Sequence, residues 1–142
     1  MKTSARNYFE GVIASIKSGS VNDEVMLDIG NGATITAIIT KESTENLALK
    51  KQDKAFALIK SSSVILATDM EGIKLSTRNI MSGTVKRVTP GAVNSEVIIE
   101  LSSGAMITAI VTNESCKNMN LKAGGKASAI FKASQVILGV KS

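Results

Sequence analysis

Three polar groupings occur twice in this chain, 72 residues apart (Ser4 to Ser76), and all of them supply hydrogen-bond donors. The first is Ser4-x-Arg6-Asn7, repeated as Ser76-x-Arg78-Asn79. An arginine presents a fixed fork of N–H donors that suits a tetrahedral oxyanion. The second is Thr40-x-x-Ser43, repeated as Thr112-x-x-Ser115. Hydroxyls at this spacing open a helix, where unpaired backbone N–H groups and the helix dipole favour negative charge. The third is Lys60-Ser61-Ser62, repeated as Lys132-Ala133-Ser134, set between an apolar strand and a Val-Ile-Leu run. A lysine there could reach an anion, with the following N–H groups adding donors. Each grouping also has a plainer reading: a surface arginine beside a strand, ordinary helix capping, a loop lysine. The turns Val21-Asn22 and Val93-Asn94 recur as well, and asparagine is common in turns for backbone reasons alone.

Taken together, these groups donate and do not accept. The one carboxylate that recurs inside them is Glu42, again as Glu114, placed to suit the positive end of a helix dipole, and the remaining groups offer no repeated general base. A donor-only set suits a fully deprotonated dianion, which carries only acceptors. Burying such an ion is costly unless every oxygen finds a donor. One helix end contributes only about 0.3–1 kcal/mol at a surface, so several groups must converge. Composition narrows the chemistry further. The chain has no histidine and one cysteine, Cys116. That excludes an intramolecular disulfide, a thiolate-rich metal cluster and histidine-based catalysis. No metal ligand, no cofactor and no enzymatic activity are expected. Cys116 aligns with Thr44 inside the predicted helix and reads as a small packing residue.

The elements that must position these residues follow from the repeat. Shifted by 72 (76 − 4), the sequence aligns on itself without a gap, with about 30 of roughly 70 positions identical. Residues 1–68 and 73–142 are expected as two modules of one fold, joined by the turn-rich Thr68–Gly72. With 44% hydrophobic but only 3% aromatic residues, the core must be aliphatic, which favours β packing. In the first copy Tyr8–Ile16 reads as a strand bent at Gly11, Val25–Ile29 and Thr34–Ile39 as a hairpin turning at Gly30-Asn31-Gly32, Thr40–Leu47 as a capped helix, Lys54–Ile59 as a fourth strand and Val64–Leu66 as a short fifth. The predicted fold class is mainly β: two tandem OB-like five-stranded barrels, each with one short helix between the third and fourth strands. A lone module of this size is marginal, so further burial must come from its neighbours. The polar N-terminus has no signal-peptide core, and no apolar run reaches transmembrane length, so a cytoplasmic protein without a membrane partner is expected.

The combination Thr3–Asn7, Gly19–Val25, Ile39–Ser43 and Ile59–Leu66, repeated at Leu75–Asn79, Gly91–Val97, Val111–Ser115 and Phe131–Leu138, resembles the molybdenum-binding Mop module over nearly the whole chain. Two such modules look like a di-Mop molbindin, with no segment matching the DNA-binding or ATPase domains that carry the module elsewhere. The resemblance implies cytoplasmic storage or homeostasis of molybdate or tungstate, in a homo-oligomer (a trimer for a two-module chain) with sites at subunit interfaces. Carried over residue by residue, it implies oxyanion binding by Ser4, Arg6, Thr40, Ser43, Lys60 and Ser61, and by Ser76, Arg78, Thr112, Ser115, Lys132 and Ala133. A second class of site near the threefold axis would fall to Val21, Asn22, Val93 and Asn94. Thr77 stands where the family has alanine, and Ala133 leaves only backbone donation at its position.

Two other readings compete. The net charge of +5 and a predicted OB-type barrel suit a single-stranded nucleic-acid binder. Such proteins stack bases on aromatic platforms, and here only Tyr8, Phe9, Phe56 and Phe131 are aromatic, none of them repeated. A purely structural assembly module would fold and associate without regard to oxyanions.

Overall fold

A computed structural model describes residues 1–141. Alternating apolar positions become strands with one buried face, as in β2, where Asp23, Val25 and Leu27 point inward. The first repeat forms β1 (Asn7–Ser18), β2 (Asn22–Gly30), β3 (Ala33–Thr40), α1 (Lys41–Asn46), β4 (Lys54–Ile59) and β5 (Ile65–Ala67). The second forms β6 (Asn79–Pro90), β7 (Asn94–Leu101), β8 (Met106–Thr112), α2 (Asn113–Asn118), β9 (Lys126–Phe131) and β10 (Ile137–Gly139). The predicted order holds. Short 3-10 turns at Ser61–Ser63 and Ala133–Gln135, which strand periodicity does not announce, precede β5 and β10.

The strands make two five-stranded antiparallel sheets, ordered β10-β4-β1-β2-β3 and β5-β9-β6-β7-β8. Strand β1 serves two partners: residues 7–12 pair with β4 and residues 12–18 with β2. A strand shared in this way must coil, and a bulge between Ile13 and Ser15 supplies the extra twist. Gly11 sits where the backbone of β2 crosses closest, since a Cβ there would lie 2.2 Å from the Asp28 carbonyl oxygen. Strand β6 repeats the device with a bulge between Val85 and Arg87, and with Gly83 against the Glu100 carbonyl. The expected bend at Gly11 is therefore a close backbone approach and a bulge two residues on. The sheets curl into half-barrels, with β10 returning to pack beside β3 and β5 beside β8.

The fifth strands are exchanged. β10, at the end of the second repeat, pairs with β4, and β5, at the end of the first, pairs with β9. One compact unit holds Met1–Ile59 with the segment from Lys132 onward, and the other holds Lys60–Phe131. The modules drawn at 1–68 and 73–142 thus describe the sequence repeat and not the compact unit. The physical reason is that the Val-Ile-Leu run is the same in both repeats, so the choice of sheet edge rests on contacts between residues far apart in the sequence. Each core is aliphatic, as composition required. Ile13, Val25, Leu27, Ile35 and Ile59 are buried in one unit together with Leu138, and Val85, Val97, Ile99 and Ile107, with Phe131, are buried in the other together with Leu66. Among the described residues no helix is long and apolar enough to cross a membrane.

Adding a methyl group at Gly11 or Gly83 must push the neighbouring strand away. Gly11→Ala and Gly83→Ala are each expected to lower unfolding free energy by about 1–3 kcal/mol, the usual range for overpacking. Chemical denaturation checks this, and wild-type stability in both variants would contradict the close approach.

Candidate functional site

At the end of β3, Thr40 turns the chain into α1 with extended backbone angles, and its Oγ1 accepts the Ser43 N–H at 3.1 Å. The Thr40 hydroxyl also donates to Ser43 Oγ at 2.8 Å. Thr112 and Ser115 reproduce both bonds at the start of α2, at the same distances. The helix start is tied to the preceding hairpin, because Lys41 N–H donates to the Val21 carbonyl and Asn113 N–H to the Val93 carbonyl, both at 2.9 Å. Val21-Asn22 and Val93-Asn94 are therefore exposed turns whose backbone braces the helix start.

Lys60 and Lys132 are exposed and lead into the two 3-10 turns, closed by Ser63 N–H to Lys60 O and Gln135 N–H to Lys132 O, each at 2.9 Å. Ser61 and Ala133, which follow them, are buried. Strand exchange decides what these turns meet. The Ala133–Gln135 turn packs on β3, and the Ser61–Ser63 turn packs on β8. In the first unit, Ser43 and Asn46 of α1 line an open groove of ≈ 390 Å³ with Ser134 and the apolar Ile38, Leu47 and Val136. The structure thus places Ser43 of α1 in one groove with Ser134 of the second repeat's turn, and packs the Ser61–Ser63 turn on β8, the strand that ends at Thr112. The grouping by repeat, with Lys60 beside Thr40, does not occur within a unit, because the turn travels with its exchanged strand.

Ser4 and Arg6, and Ser76 and Arg78, lie on the exposed lead-ins to β1 and β6. The residue that follows, Asn7 or Asn79, is buried and opens the strand opposite Ile59 or Phe131. Thr77, the departure from the family pattern, has a structural use. Its hydroxyl donates to the Phe131 carbonyl at 2.7 Å and anchors the Arg78 segment to the end of β9. That hydroxyl stands beside a motif the sequence already marks, but only the folded chain supplies its acceptor, 54 residues away.

The two turns are braced by different chemistry. In the first copy the buried Asp23 carboxylate accepts Gly19 N–H at 3.2 Å and lies 3.9 Å from Lys41 Nζ. A hydrogen bond from the Thr44 hydroxyl, then the Gly19 N–H and the Lys41 charge, holds this carboxyl below its usual range, although burial opposes the shift. In the second copy Ser95 and Asn113 stand at these positions, with the Ser95 hydroxyl donating to Asn113 Oδ1 and Asn113 Nδ2 donating to the Gly91 carbonyl at 2.9 Å. An ionic brace is thus replaced by a neutral one. Cys116 is buried on α2 at the position of Thr44, which removes a donor the neutral brace does not need.

Comparison with known proteins gives a consistent family. The TOBE domain matches residues 3–66 and again 75–138. The molybdenum transport protein ModE of Azotobacter vinelandii is 46% identical over 140 residues, covering 99% of this chain and 52% of that protein. The molybdenum-pterin-binding protein MopA of Rhodobacter capsulatus is 39% identical over 140 residues, covering 99% of this chain and 53% of that protein. The chain spans about half the length of these curated relatives. Among solved structures, the cytoplasmic molybdate-binding protein ModG, crystallised with molybdate bound, superposes with a TM-score of 0.95 at 46% identity, covering 99% of this chain and 100% of that one. The likeness to tandem Mop modules expected from the motifs is borne out by these relatives.

The Asp23 brace carries a pH signature. Its folded-state pKa is lowered, so its contribution is complete above the unfolded value near pH 4 and is lost as pH falls through the lower folded value. Asp23→Ser with Lys41→Asn, which copies the second repeat, is expected to flatten the acid side of the Tm profile. Thermal melts between about pH 6 and pH 3 check this, and parallel profiles for the two proteins would contradict it.

Proposed function

We propose that this chain, which belongs to the TOBE-domain family through both of its repeats, binds molybdate or tungstate and stores or buffers it in the cytoplasm without turning it over. The observation that carries the reading is a likeness in fold over nearly the whole chain, at 46% sequence identity, to a molybdate-binding protein with its ligand in place. The chemistry of the repeated groupings supports it. A dianion with four acceptor oxygens meets hydroxyl, guanidinium, ammonium and backbone N–H donors, and the one carboxylate repeated among them, Glu42 and Glu114, belongs to the first turn of each helix.

In this proposal the sites are lined by Thr40 and Ser43 with Lys132 and Ala133, and by Thr112 and Ser115 with Lys60 and Ser61. The exposed Ser4–Arg6 and Ser76–Arg78 segments complete them from a neighbouring subunit of a trimer. The two kinds of site differ by one hydroxyl, since Ala133 stands where the other has Ser61. The Val21-Asn22 and Val93-Asn94 turns are proposed for the second class of site. The nucleic-acid reading loses ground, because the aromatic pair of Tyr8 with Phe56 occurs in a single unit, with Ile80 and Ser128 at the equivalent positions of the other.

Calorimetric titration with molybdate, tungstate and sulfate, alongside the mass in solution, tests the proposal. Saturating molybdate at a hundredfold excess over Kd is expected to add about 2.7 kcal/mol of stability and to raise Tm. Arg6→Ala with Arg78→Ala is expected to abolish most of that rise. An unshifted melt for the native protein would overturn the function, whereas normal binding by the double variant would overturn the site assignment.

A further inference from the structure

We infer that Phe56 paired with Gly139, and Ser128 paired with Ala67, select which fifth strand closes which sheet. β5 and β10 are otherwise nearly interchangeable. Both follow a 3-10 turn, and both carry Val-Ile-Leu, at Val64–Leu66 and Val136–Leu138. Their registers correspond residue for residue. Ile137, Leu138 and Gly139 face Leu58, Ala57 and Phe56, while Ile65, Leu66 and Ala67 face Ile130, Ala129 and Ser128. The first two pairs are alike in size in the two sheets. Only the third differs, with a large residue opposite glycine in one and two small residues in the other.

The difference is steric. A Cβ at position 139 would lie 2.4 Å from Cζ and 2.7 Å from Cε2 of Phe56, so the ring occupies the space a side chain would need. The ring is backed by Tyr8, with centroids 5.2 Å apart. Tyr8 is itself held by its hydroxyl bond to Glu10 at 2.7 Å. If β5 closed the sheet of its own repeat in the same register, Ala67 would meet the Phe56 ring, and Gly139 would leave Ser128 without a side chain opposite it. Charge points the same way. Lys141 Nζ lies 2.8 Å from Glu10 Oε1, and the residue equivalent to Lys141 in the first repeat is Asp69 (141 − 72). Self-closure would therefore set Asp69 near Glu10, two like charges where the exchanged strand brings opposite ones. An exposed ion pair contributes little by itself, so the ring and the glycine carry most of the discrimination. The same choice decides which lysine turn packs against which sheet edge.

The test uses the full chain with Cys116→Ser. Leu58→Cys with Ile137→Cys reports the exchanged closure, and Leu58→Cys with Ile65→Cys reports self-closure, each read after oxidation as an intrachain crosslink by mass. The native pairing is expected to give only the 58–137 link. Transposing the code by Ala67→Gly, Gly139→Ala, Asp69→Lys and Lys141→Asp is expected to yield the 58–65 link. Separately, Gly139→Ala is expected to lower Tm, and adding Phe56→Ser, which copies the Ser128 and Ala67 pair, is expected to recover most of the loss. Retention of the 58–137 link alone in the transposed chain would overturn the inference. So would a Gly139→Ala defect that Phe56→Ser leaves unrelieved.

Discussion

Each sheet of this protein is completed by a strand it does not encode locally, and most of the architecture depends on that pairing. Leu138 fills the core built by β1 to β4, and Leu66 fills the core built by β6 to β9. Aliphatic cores of this size have little stability to spare, so losing a strand that covers the rim would expose residues such as Ala57 or Ala129, which are fully buried. Because the completing strand arrives from the other repeat, neither sequence repeat is a closed folding unit. The two copies are bound together by β pairing and not merely by a linker.

The exchange also sorts the polar chemistry. A fifth strand carries its 3-10 turn with it, and the turn carries a lysine. The lysine turn of one repeat consequently packs on the third strand of the other, the strand that ends at the helix start. Curling of the sheets makes this meeting possible, and the curl in turn follows from β1 and β6, each divided between two partners by a bulge and a closely crossed glycine. A straight strand in either place would leave the third strand and the fifth far apart.

Similar backbones here tolerate different local solutions. The hairpin behind α1 is braced by a buried carboxylate and a lysine, and the one behind α2 by a serine and an asparagine. Both hold the same carbonyl against the first N–H of the helix. Thr77 is another such variation, using a side-chain hydroxyl to fasten its segment where the first repeat has Ala5. The proposed ligand would then meet two related but unequal sets of donors within one chain, and the likeness to ModG extends over both.

Much of this was legible in the sequence. Hydrophobic alternation marked the strands. Thr40 and Thr112 marked the helix starts, and Gly30-Asn31-Gly32 marked a hairpin, because each of these depends on residues a few positions apart. The repeat made every such reading twice over. The donor groupings were visible too, since recurrence picks out polar residues whatever their partners. What local sequence did not decide was partnership. Val64–Leu66 and Val136–Leu138 are the same three residues, so their preference for one sheet edge resides in contacts such as Phe56 with Gly139, more than 80 positions apart (139 − 56 = 83). The division into units, the lysine turn that packs on each third strand and the acceptor of the Thr77 hydroxyl all follow from such long-range contacts. Only the tertiary structure could supply them, because packing is a property of surfaces brought together and not of neighbours along the chain.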